Sequence, residues 1–201
     1  MNTLKNIVLI GILSFSMMAS AQQPPLTALA TVENGVRLLL DTVQQSRSFF
    51  LSDPDRYFGE VEQALVTMVD FDAVATVVMS RYADEATEEQ TSRFGDIIKS
   101  TLTRFYGAAL ASYGGQELVF IPSDNPPSDP RADTVVGMEL RGGDNGSFKL
   151  QYQMFIDGSD EWKLKNLSLG GINLGRQYYA QFAAAMTKFD NDIDQVLDNW
   201  K

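Results

Sequence analysis

The chain has 201 residues, 26 Asp and Glu against 16 Lys and Arg, and a formal net charge of −10. Neutralising phosphates needs clustered Lys and Arg, so this composition excludes nucleic acid as a natural partner. The sequence contains no Cys and no His, which removes disulfides, thiolate and imidazole metal sites, thiolate nucleophiles and the commonest general base, and leaves only carboxylate, Tyr or Lys chemistry.

At the start of the chain, Lys5, the apolar run Ile7 to Ile12 continuing through Phe15 and Met17, and Ala19-Ser20-Ala21 form the charged, apolar and small-residue zones of a secretory leader spanning residues 1–21. Cleavage is expected before Gln22, and Gln rather than Cys there leaves no attachment residue for a lipid anchor. Neither that run nor any later one approaches the ~20 apolar residues of a membrane span. Losing Lys5 takes the net charge from −10 to −11, and the remaining 180 residues, 22–201, suit one domain with a substantial core. The expected address is the bacterial periplasm. The acidity disfavours passive adhesion to anionic membrane surfaces.

Val32, Val36, Leu39, Leu40 and Val43 recur on one helical face, and Asp53-Pro54 marks the start of a second helix, Asp as cap and Pro at the first helical position, with Tyr57, Val61, Ala64, Leu65 and Met68 on its buried side. Phe71 to Tyr82 reads as a third helix. Thr87 and Gln90 have capping-box spacing, and behind them Phe94, Ile97, Ile98, Leu102, Phe105, Tyr106, Ala109, Leu110 and Tyr113 make a wide apolar stripe ending at Gly114-Gly115. The pattern then becomes that of an antiparallel sheet. Leu118 to Ile121 is a strand, Pro122 to Asp133 an irregular loop, Thr134 to Arg141 a second strand, Gly142 to Gly146 a hairpin turn, and Ser147 to Ile156 a half-buried third strand. In the fourth, Glu161 to Leu169, the apolar phase slips between Leu164 and Leu167, which predicts a bulge near Lys165-Asn166. Two helices follow, Asn173 to Phe189 and one carrying Ile193, Val196, Leu197 and Trp200. Helices segregated from one antiparallel sheet define an α+β fold.

Several local patterns have plain explanations. Asp190, Asp192 and Asp194 alternate like calcium ligands, but Gln195 stands where the loop needs Gly, so they read as acids at a helix start. Asn145-Gly146-Ser147 is a hairpin turn and Asn166-Leu167-Ser168 lies in a strand, so neither is assigned as a glycosylation site. No metal and no cofactor is expected.

Arg81-Tyr82, Ala86-Thr87-Glu88-Glu89-Gln90, Arg93-Phe94 and Tyr106-Gly107-Ala108-Ala109-Leu110, followed by Trp162-Lys163-Leu164, Gly171-Ile172-Asn173-Leu174, Tyr178, Gln181 and Phe182, resemble in order the motifs of the MlaC, or toluene-tolerance, family. The resemblance covers roughly residues 30 to 200. Ala83 stands where that family has Trp, Ser80 where it has Gly, Gly170 where it has Glu, Tyr179 where it has Arg, and Asn166 where Asp is usual. The family is also generally more basic.

The resemblance implies a periplasmic phospholipid carrier shuttling lipid between an outer-membrane lipoprotein/porin complex and an inner-membrane ABC-type transport complex. It implies an NTF2-like cone of antiparallel sheet with an added helical subdomain, acyl chains lying between sheet and helices. A diacyl lipid exposes about thirty methylenes at ~0.8 kcal/mol each, so leaving a bilayer unaided opposes on the order of twenty kcal/mol that a carrier must offset by burial. By spacing alone Val74, Val78, Leu102, Phe105, Tyr106, Leu110, Tyr152, Met154 and Ile172 are ordinary core. The resemblance makes them, with Leu167 and Leu169, the candidate lipid contacts, and Tyr106 and Tyr152 suit a boundary between acyl chains and head group. Two other classes stay open. One is an isomerase-type enzyme on an NTF2-like cone, with Asp72 as base and Tyr106 or Tyr152 as oxyanion donor; the other is an exported adaptor with a filled core.

Overall fold

The computed structural model describes residues 26–143 and 146–200. The predicted leader and the tip of the predicted hairpin, Asp144-Asn145, lie outside the described residues. The chain runs through α1 (Ala28–Ser46), α2 (Phe49–Ser52), α3 (Pro54–Val66), α4 (Phe71–Met79), a 3₁₀ helix (Ser80–Glu85) and α5 (Glu88–Leu110), then β1 (Glu117–Ile121), β2 (Thr134–Gly143), β3 (Gly146–Ile156), β4 (Trp162–Leu169) and β5 (Ile172–Asn173), and finishes with α6 (Leu174–Lys188) and α7 (Ile193–Asp198). The strands form one antiparallel sheet in sequence order. The α+β class matches the expectation; α2 and the two-residue β5 are too short to have left a periodic signal.

Side-chain caps set the helix starts. Thr87 Oγ1 accepts from the Gln90 amide at 3.1 Å while Gln90 Oε1 accepts from the Thr87 amide at 3.0 Å, the reciprocal box anticipated for α5. Asp53 caps α3 with Pro54 in the first turn, Asp70 caps α4, Asn173 caps α6 and Asp192 caps α7. The last of these gives the acid alternation near Asp190 its structural reason. At its far end α5 stops at Leu110, short of the two glycines, because Ser112 and Tyr113 bond back to Ala109 and Leu110 in a tightened turn.

The third helix is shorter than its apolar pattern suggested. Ser80 has φ +52° and ψ −116°, a conformation open to glycine and strained for any residue with a Cβ, and it turns α4 into the 3₁₀ helix. Ser80→Gly is therefore expected to stabilise the protein by about 1 kcal/mol, read as a raised urea midpoint at unchanged slope.

The predicted bulge is present. Gln153 pairs with Asn166 and Met154 with Leu164, so Lys165 is the extra residue on β4. Because of it, Leu164, Leu167 and Leu169 oppose Met154, Tyr152 and Leu150 on one face, while Lys165 turns out to Asp133. The rest of the β4 edge is covered by the α3–α4 linker: the Leu164 amide donates to the Met68 carbonyl at 2.8 Å, and the Asp70 amide to the Leu164 carbonyl at 3.1 Å.

Buried side chains gather in three clusters. A helical one, around Phe94, Phe182, Met186 and Val196, joins α4, α5, α6 and α7. A second packs Val32 and Val36 of α1 with Met68 against Val136, Met138, Tyr152, Met154 and Leu164 of the sheet. The third joins Val43 to Tyr57 and Val61, with the Tyr57 hydroxyl donating to the Gly107 carbonyl at 2.7 Å.

Candidate functional site

Where these three clusters would meet, the interior is hollow. The space is about 550 Å³ and takes lining from all three, with Ile98 and Val78 from the helical cluster, Val36, Met68 and Tyr152 from the sheet cluster and Val61 from the third. Protein interiors pack like organic crystals, and voids larger than a water are few, so a gap of this size is a feature of the fold. Its floor is the inner face of the sheet: Met138 and Leu140 from β2, Phe148, Leu150 and Tyr152 from β3, Leu164, Leu167 and Leu169 from β4. Cross-strand register aligns them, with Met138 opposite Leu150, Leu140 opposite Phe148 and Tyr152 opposite Leu167. Leu39, Leu40 and Leu65 of α1 and α3 form one wall, Val74, Leu174 and Tyr178 of α4 and α6 the other, and Leu102, Tyr106 and Leu110 of α5 close it over. The lining residues Ala109, Ser112 and Phe148 are exposed, which puts an opening between the end of α5 and the start of β3.

Among the described residues, no Asp, Glu, Lys or Arg lines the hollow. Its polar members are chiefly tyrosines and amides already bonded. The Tyr152 hydroxyl is sunk in the floor with Met138 Sδ at 3.8 Å as its partner, and burial pushes its pKa up. Burial also raises Tyr106, with the neighbouring Tyr178 adding to it, and raises Tyr178 and Tyr113. Asn166 Oδ1 accepts from the Leu167 amide at 2.9 Å and the Gly175 amide at 3.0 Å, and its Nδ2 donates to Asn173 Oδ1 at 3.2 Å. That side chain locks the bulge to the start of α6, an acceptor role that the Asp usual in the resembling family could also fill. Gly175 is required beside it, since a Cβ there would lie 2.7 Å from Val77 Cγ1.

Tyrosine hydroxyls ordinarily titrate at 10.0, and here burial favours the neutral form and raises their pKa. Below that value they are protonated folded and unfolded alike; above it the unfolded state loses protons first, so stability falls as pH rises. Retention of an apolar ligand is accordingly expected to be flat from about pH 5 to pH 9 and to decline only beyond about pH 10, checked by dialysis against buffered steps.

Of the eleven candidate contacts, eight face the hollow: Val74, Val78, Leu102, Tyr106, Leu110, Tyr152, Leu167 and Leu169. Three do not. Met154 is fully buried in the sheet cluster, Phe105 is 68% exposed on α5 with its ring edge-on to Tyr106 at 5.0 Å, and Ile172 is 58% exposed on β5. Tyr152 lies in the floor and not at a polar boundary. Asp72 lies outside the hollow on an exposed side of α4, against Gly95, where burial and then the Asp70 and Asp96 carboxylates raise its pKa. The α1 and α3 wall was not anticipated; its stripes were visible in the sequence, but nothing local tells a residue facing a hollow from one facing packed core.

A sheet and a helical layer held apart over an uncharged apolar space define a cavity protein, in contrast to an adaptor with a filled core. The MlaC protein family matches residues 33–201, and the chain belongs to that family. It is 30% identical over 194 residues to the toluene tolerance protein Ttg2D of Pseudomonas putida, covering 96% of this chain and 87% of that one. Among solved structures, its fold is similar to the phospholipid-binding protein from Ralstonia solanacearum in complex with a phospholipid, with a TM-score of 0.75 at 26% identity over 86% of this chain and 94% of that one.

Proposed function

We propose that this protein is a soluble, non-enzymatic phospholipid carrier of the periplasm, exported by the leader at residues 1–21 and folded as one lipid-binding domain over residues 22–201. Acyl chains lie in the hollow and the head group stays at the opening by Ala109, Ser112 and Phe148. The carrying observation is the hollow itself: about 550 Å³, with no charged side chain among the described residues that line it, in a chain of the MlaC family. Acyl chains that fill it are stabilised by ~0.8 kcal/mol per methylene sheltered from water. Val74, Val78, Leu102, Leu110, Leu167 and Leu169 contact the chains, Tyr152 lies beneath them, and Tyr106 faces the boundary with the head group.

The family supports a shuttle between an outer-membrane lipoprotein/porin complex and an inner-membrane ABC-type transport complex. The mechanism is differential burial: docking loosens the fit of α5 over the sheet enough for chains to exchange, and no bond is made or broken. Protein purified gently from a periplasmic extract, extracted with organic solvent and analysed by mass spectrometry is expected to yield phospholipid in near-stoichiometric amount. Recovery of no lipid contradicts the proposal.

A further inference from the structure

We propose that the Tyr152 hydroxyl selects acyl chains bearing a mid-chain oxygen, so that a phospholipid with a hydroxyl near the tenth carbon loads in preference to its unsubstituted counterpart. This rests on the carrier reading above and adds to it a choice between chains. Tyr152 is only 5% exposed and lines the hollow. Among the described residues its hydroxyl has one partner, Met138 Sδ at 3.8 Å, and Met138 lines the hollow beside it. A thioether is a weak acceptor, and a phenolic oxygen can also accept hydrogen bonds of its own. The neighbours across the sheet are apolar, Val136 on β2 and Leu167 on β4, with Leu150 before it on the same face of β3. A water lodged there would meet one hydroxyl where about two to four polar partners are needed. A buried polar group short of partners costs free energy, and an oxygen on the ligand recovers it.

Strand β3 sets the depth at which that oxygen is read. Phe148 at the opening is 47% exposed, Leu150 is half-buried and Tyr152 is buried, so one face of the strand runs inward from the mouth. At ~3.4 Å per residue the step from Phe148 to Tyr152 is about 14 Å. The Tyr152 ring leans toward Met138, which stands opposite Leu150, so its hydroxyl lies a little short of that depth. Carbon–carbon bonds of ~1.5 Å at ~111° advance an extended chain by ~1.25 Å each. An ester group at the opening therefore brings about its tenth carbon to Tyr152. A hydroxyl at that position is what hydration of a mid-chain double bond leaves. In a bilayer such a hydroxyl finds no partner among hydrocarbon and must bend its chain back to the interface. Transfer to the hollow relieves the chain and satisfies Tyr152 together.

The test uses delipidated full-length mature protein and donor vesicles of two phosphatidylglycerols in equal amounts, one with stearoyl chains and one differing by a single hydroxyl near the tenth carbon of one chain. After incubation the protein is separated from vesicles and extracted, and the two lipids are quantified by mass spectrometry. The hydroxylated lipid is expected to be enriched at least about threefold, the effect of one added hydrogen bond. Tyr152→Phe, which removes the hydroxyl and keeps the ring, is expected to lower that enrichment at least about threefold. The ratio is taken within each protein, so a change in total loading cancels. With the hydroxyl moved to the second carbon, beside the ester, Tyr152→Phe is expected to leave the ratio unchanged. Equal loading of the two lipids by the unsubstituted protein, or an enrichment that survives Tyr152→Phe, overturns the inference and leaves the carrier reading standing. Loading of neither lipid overturns both.

Discussion

Phe182→Ala is expected to lower the free energy of unfolding by about 3–5 kcal/mol, a large fraction of the 5–15 kcal/mol typical of a domain. Phe182 is fully buried at the centre of the helical cluster, with ring centroids of Phe94 at 5.1 Å and of Tyr82 and Trp200 at 5.9 Å. Four elements depend on that one ring: α6 that carries it, the 3₁₀ helix through Tyr82, α5 through Phe94, and the C-terminal segment through Trp200. Truncation removes the transfer energy of the ring and leaves a space that neighbours anchored on separate helices fill poorly. The aromatic contacts, about 0.5–1.5 kcal/mol per pair beyond burial, are lost with it. Urea unfolding at 25 °C measures the effect. Because Phe182 does not line the hollow, lipid loading under folding conditions should persist, which separates the solid half of the interior from the hollow half.

The opposite substitution should have the opposite pattern. Leu102→Trp combined with Leu110→Trp places two indoles under α5, in the space between that helix and the floor residues Leu150 and Leu167. Stability of the lipid-free protein should hold or rise, as filling an apolar void commonly does. Bound lipid per chain should fall at least about tenfold, because each methylene the indoles displace forfeits ~0.8 kcal/mol. Mass-spectrometric lipid-to-protein ratios, measured beside thermal unfolding, check both halves of the expectation. Equal lipid content in the double variant would mean the chains bind elsewhere.

Local sequence signals account for most of the architecture and only part of the site. Capping chemistry at Thr87 and Asp53 and the phase slip at Lys165 are short-range effects, and each is found where the pattern requires it. The length of α4 was overestimated because apolar spacing continues past Met79, whereas the backbone reverses at Ser80, the position at which the resembling family carries Gly. The errors at the site have one cause. Helical period assigns Phe105 to the same broad stripe as Tyr106, and alternation assigns Met154 to the same face as Tyr152, but neither period fixes how wide the covered arc is or where the packed layer ends. Phe105 falls just outside the covered arc; Met154 falls one alternation beyond Tyr152, packed with α1 in the sheet cluster although its cross-strand partner Leu164 still lines the hollow. Whether three clusters close on one another is decided by contacts between residues far apart in the chain, such as Gly35 against Met68 and Gly175 against Val77. The same long-range packing brings Val36, Leu39 and Val61 to the wall, and no motif announces it.

The central claim is that acyl chains occupy the space between α5 and the inner face of the sheet. A crystal structure of the protein isolated with its native lipid tests it most directly. Continuous chain-shaped density running from the opening beside Ser112 to the floor under Leu102 and Tyr106 is the predicted result. The same space filled by the protein's own side chains, with lipid absent or bound on the outer surface, would contradict it.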